Sequence, residues 1–108
     1  MDNLYATEKF LQAERALCEG LGDIKERVKD AYMCFHPVRK EDLPVELRGD
    51  YQWVLDQLTR KPQLIAKDSD FVVSGSVDQT LHFMPRKTAA TIAERIRHIY
   101  IRLVDRNV

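Results

Sequence analysis

The sequence predicts an all-α fold, or one nearly so: a single domain over residues 1–108, built as a compact bundle of four to five helices. Two observations lead there. Apolar residues recur at helical spacing in most of the chain, and glycine or proline stands at nearly every point where that spacing stops. A chain of 108 residues is long enough for one hydrophobic core without disulfide or metal staples, and too short for two ordinary domains.

Residues 3–18 form the first predicted helix, with Leu4, Ala6, Phe10, Leu11, Ala13, Leu17 and Cys18 over about half its circumference. Such breadth implies two neighbours. Gly20-Leu21-Gly22 ends it, on the expectation that glycine supplies the left-handed conformation that closes helices. Asp23 then reads as an N-cap, with Glu26 three residues later in a capping-box arrangement. The second helix carries Ile24, Val28, Ala31, Tyr32 and Phe35 on one face, the clearest helical spacing in the chain. Pro37 disfavours helical backbone at His36 and sets its end, and Arg39-Lys40-Glu41-Asp42 reads as a loop in which Asp42 caps the next element.

Pro44 suits the first turn of a third helix, with Leu47, Tyr51, Val54, Leu55 and Leu58 on its apolar face and Gly49 as a weak point. Trp53 projects away from the Leu47/Val54/Leu58 stripe, on the side of Gly49, Asp56 and Arg60. Periodicity then fails over 61–76. Two short apolar runs there flank Lys67-Asp68-Ser69-Asp70, a pattern that permits a small β-hairpin, and the segment is expected to be the least stable of the domain. Ser76, with Gln79, reads as the cap of a short fourth helix whose buried edge is Val77, Leu81 and Met84, ended by Pro85. The fifth helix runs from Lys87 and has two contrasting faces. Ala89, Ile92, Ala93, Ile96, Ile99, Tyr100 and Leu103 gather on one, and Arg95, His98, Arg102 and Arg106 on another. Its broad apolar face predicts a central position, with Tyr32, Phe35, Ile96 and Leu103 in the core.

Seventeen basic residues balance seventeen acidic ones, so no global field draws the chain to nucleic acid or anionic lipid, and any electrostatic recognition is local. No apolar run approaches the ~20 residues that a membrane span requires, so no membrane partner is expected. The start, Met1-Asp2-Asn3, lacks the basic and apolar regions of a secretory signal, and Cys18 and Cys34 are too few for a disulfide framework. A cytoplasmic protein with reduced thiols is the reading.

Chemistry is harder to find. The chain has no nucleophile elbow, no phosphate-binding glycine loop, no dinucleotide fingerprint and no H-E-x-x-H. No catalytic residue, cofactor or metal ligand is therefore assigned. Cys34 and His36, even with Cys18, His82 and His98, lack the spacing of a zinc site.

Two features stand out as binding candidates. Arg95, His98, Arg102 and Arg106 could track a row of phosphates or a carboxylate-rich groove, although arginine also complements the dipole at a helix C-terminus, and Glu94 and Asp105 dilute the stripe. Trp53 is either an anchor for a partner or a ring covered by Leu64, Ile65 or Phe71 of the following segment. Covering is expected, since tryptophan is highly buried on average. Helices four and five also resemble a helix-turn-helix in outline, with Lys87, Thr88 and Thr91 starting a recognition helix. The fourth helix is short for that role and the turn lacks glycine. The functional expectation is a non-catalytic protein-binding or regulatory module. A nucleic-acid binder using the basic face of the last helix is the alternative.

Overall fold

The structure is a computed structural model that describes residues 3–65 and 72–106. Five helices carry it: α1 (Leu4–Glu19), α2 (Ile24–Phe35), α3 (Val45–Leu58), α4 (Ser76–Phe83) and α5 (Arg86–Arg106). A 3-10 turn, Lys40–Asp42, precedes α3. The fold is all-α, and α5 packs against α1, α2 and α3.

Each buried stripe follows from its helical spacing. Ala6, Phe10, Ala13 and Leu17 of α1 meet Val28, Ala31 and Phe35 of α2, and Ile92, Ile96, Ile99 and Leu103 of α5 close over both. At the centre, Phe10 stacks on Phe35 with ring centroids 5.1 Å apart, and Tyr51 meets both rings edge-on at 5.9 Å. The Tyr51 hydroxyl donates to the Val38 carbonyl, which satisfies a phenol that is otherwise sealed from water. Burial pushes its pKa far above the ordinary value.

Several local expectations are corrected. Tyr32 is half-buried rather than central, meeting Phe35 edge-on and stacking on the exposed His36. Leu4 and Cys18 are exposed and Leu11 is half-buried, so the covered stripe of α1 is narrower than its apolar pattern. Gly49 sits within an uninterrupted α3. Asp42 does not cap α3, where Pro44 occupies that position; its carboxylate accepts from the Arg39 amide instead. Nor does Ser76 cap α4: Gly75 is the N-cap, and the Ser76 hydroxyl donates to the Lys61 carbonyl at 2.6 Å. Asp23 does cap α2, accepting from the Lys25 and Glu26 amides at 3.0 and 3.1 Å. The Glu26 amide bond, followed by the Arg86 side chain, holds the Asp23 carboxyl below its usual range.

Gly20 is needed for space, not for a left-handed backbone. Its φ is −63°, and among the described residues no glycine has a positive φ. A Cβ here would lie 2.5 Å from the Ala16 carbonyl oxygen and 2.7 Å from Cγ of Arg27. Gly20→Ala is therefore expected to destabilise by about 1–3 kcal/mol, as overpacking does, measured by chemical denaturation. Gly22 is confined as well, since an added carbon would lie 2.8 Å from Cβ of Glu26 and would force that side chain to shift.

Between α3 and α4, β1 (Leu64–Ile65) and β2 (Val72–Ser74) pair antiparallel, Leu64 opposite Ser74 and Ile65 opposite Val72. So short a ladder does not alter the helical architecture. Residues 66–71, where the turn of the expected hairpin and Phe71 fall, lie outside the described residues.

Candidate functional site

Glu46, Asp50 and Trp53 stand at i, i+4 and i+7 of α3 and so share one side of that helix. That side meets the basic stripe of α5. Arg95 Nη1 donates to Asp50 Oδ1 at 3.0 Å, and His98 Nε2 lies 3.7 Å from Asp50 Oδ2. Arg106 pairs with Glu46. Residue numbers along α3 and α5 run in opposite senses through these pairs, as they must where two helices lie antiparallel.

The Arg95 guanidinium also lies over the Trp53 ring, 4.5 Å from its centroid. A planar cation on an indole face gains from the ring quadrupole while its edge still reaches a carboxylate, so Arg95 holds Trp53 and Asp50 together. Trp53 is half-buried and packs against the core from the side. The covering that the sequence led us to expect from Leu64, Ile65 or Phe71 is thus supplied, on this ring face, by a side chain of α5. Leu64 is exposed, and the side chains of Ile65 and Phe71 lie outside the description.

The structure therefore brings Trp53, Arg95 and His98 together around Asp50, and sets Arg106 further along, on Glu46. Arg102 stands alone. It is exposed and makes no ion pair among the described residues. Asp50 and Glu46 were missed in the sequence, although their spacing relative to Trp53 was a usable signal: two acids on the tryptophan side of α3 needed only an antiparallel basic helix to meet them.

The two arginines at the middle of the stripe should consequently separate on mutation. Arg102→Glu should change unfolding free energy by no more than about 0.5 kcal/mol. Arg95→Glu should cost about 1–2 kcal/mol, through loss of the Asp50 pair and the Trp53 stack and through a new like-charge contact. Thermal and urea denaturation of the two single variants checks the difference.

Several ionisable groups elsewhere have structural partners. Arg97 of α5 pairs with Glu14 of α1 at 2.7 Å, Lys29 of α2 with Asp78 of α4 at 2.6 Å, and Arg86 with Asp23 at 3.3 Å. Cys18 donates to Glu14 Oε1 at 3.1 Å, a bond that raises the thiol pKa along with burial; Cys34 is raised chiefly by burial. Both cysteines are free, and raised pKa values keep their thiols protonated and poorly nucleophilic. Among the described residues, no group of three or more His, Cys, Asp or Glu is placed to hold a metal, and no helix is long and apolar enough to cross a membrane. Comparison with protein-family models, curated proteins and solved structures finds no match to this chain.

Proposed function

We propose that this chain is a non-catalytic protein-binding or regulatory module of the cytoplasm, and that it engages its partner through the joint face of α3 and α5. One observation carries the reading: the basic stripe of α5 is largely neutralised within the molecule. Asp50 takes Arg95, which lies over the half-buried Trp53, and is beside His98, while Glu46 takes Arg106; of the stripe this leaves Arg102 without an ion pair among the described residues, and Val45, at the start of α3, is exposed. A mixed-charge surface around an aromatic residue suits a protein partner, whereas a phosphate backbone favours several unneutralised cations in a row. The pair of free cysteines is compatible with a reducing compartment.

The test compares wild type, Arg102→Glu and Trp53→Ala in two assays. In pull-downs from the native host, a partner should be retained by wild type and cross-link near Arg102, while each substitution should weaken its capture; loss of a buried aromatic anchor weakens binding by about 2 kcal/mol or more. On immobilised duplex DNA at about physiological salt, wild type should not be retained. Retention that falls steeply with salt and disappears in Arg102→Glu would instead establish the nucleic-acid alternative.

A further inference from the structure

At the opposite end of α3 and α5 from Glu46 and Arg106, a hollow of about 140 Å³ opens between the end of α3, α4 and the start of α5. Gln57, Arg60, Lys61, Thr80, Met84 and Thr88 line it. Its charge is one-sided: it has two cations and no carboxylate in its wall, and neither Arg60 nor Lys61 makes an ion pair among the described residues. On a molecule whose total charge is zero, and whose other basic residues include many with acidic partners, two unneutralised cations beside one hollow form a local positive site.

The hollow is also built. Lys61 follows the end of α3, where a loop residue would ordinarily be loosely held, yet both of its main-chain polar groups are fastened to α4. Its amide donates to the Thr80 hydroxyl at 2.9 Å, and its carbonyl accepts from the Ser76 hydroxyl at 2.6 Å. Thr80 is itself only 4% exposed. The Lys61 ammonium lies 5.4 Å from the centroid of the Phe83 ring, which fixes the side chain to the same helix without cancelling its charge. Thr88 adds a half-buried hydroxyl, and Gln57 an amide. Fork-like arginine, a lysine on a pinned backbone and neutral hydroxyl and amide donors are the set that recognises a tetrahedral oxyanion.

We propose that this hollow binds the phosphoryl group of a small phosphomonoester, with Arg60 and Lys61 supplying the charge, Thr88 and Gln57 supplying neutral hydrogen bonds, and the organic part of the ligand lying outside. The site is independent of the protein-binding face, so either reading can fail while the other stands.

Inorganic phosphate and phenyl phosphate are titrated into the full chain at constant ionic strength and followed by amide chemical shifts. Saturable shifts at Lys61, Thr80 and Thr88 are expected with both ligands. Affinity should fall at least about tenfold in Arg60→Gln/Lys61→Gln and stay at the wild-type value in Arg15→Gln/Lys40→Gln, a charge-matched control elsewhere on the surface. The melting temperature of each double variant, measured alongside, shows that the fold is kept. Shifts that never saturate, or that are the same in both double variants, overturn the site. So does binding of duplex DNA that needs Arg60 and Lys61 while neither phosphate compound binds.

Discussion

Phe35→Ala is expected to remove about 3–5 kcal/mol of stability, the largest loss from any single truncation considered, because the ring is the hub of the aromatic cluster. Phe35 has no exposed surface. It stacks on Phe10 at 5.1 Å and meets Tyr51 and Tyr32 edge-on at 5.9 and 5.6 Å. Its removal deletes apolar burial, three favourable ring geometries and the filling of a space lined by other large rings that cannot all move inward. A domain of this size has about 5–15 kcal/mol in all, so the variant should stand near the threshold of folding. Urea denaturation followed by the fluorescence of Trp53, the single tryptophan, reads the midpoint directly. A shift of under about 1 kcal/mol would mean that the α1, α2 and α3 interface can collapse around the gap, contrary to the packing described.

Ile96→Ala should cost about 2–5 kcal/mol, through lost burial and the cavity that remains. Ile96 is fully buried on α5, the helix that packs against α1, α2 and α3. The control lies five residues further along the same helix. Ile101 is 48% exposed, and Ile101→Ala removes similar atoms from a site that water already reaches, so its effect should be well below that of Ile96→Ala. Equal midpoints for the two variants would show that α5 is not the element that closes the core.

The contrast between these two isoleucines also marks how much of the molecule was legible in the chain. Periodicity is a property of neighbours in sequence, so the buried faces of α2 and α5 could be read from Val28, Ala31 and Phe35 and from Ile92, Ile96, Ile99 and Leu103. The cap at Asp23 was readable for the same reason, since donor and acceptor are two and three residues apart. Local chemistry misled where a distant partner outbid it. Ser76 has the character of an N-cap, but its hydroxyl is taken by the Lys61 carbonyl, fifteen positions earlier. Gly20 has the character of a left-handed terminator, but its φ is −63° and what demands it is space, first against the Ala16 carbonyl oxygen and then against Arg27 of the next helix. The candidate site was half legible. Its cations were visible as a stripe on α5, while Asp50 and Glu46, which decide what that stripe can attract, lie 45 and 60 residues away from Arg95 and Arg106.

The late position of α5 has a consequence for how the protein is born. α1 and α2 are made first and can pair as soon as both emerge, but the seam that Ile92, Ile96, Ile99 and Leu103 fill stays open until the chain has been extended through Arg106. At ordinary rates of about 5–20 residues per second, the ribosome leaves that apolar seam uncovered for roughly 4–14 s after Phe35 is added. A nascent chain in this interval presents sticky surface to every neighbouring polysome. Early termination before α5 would make that exposure permanent, and the truncated product a client for chaperones and proteases rather than a smaller working domain.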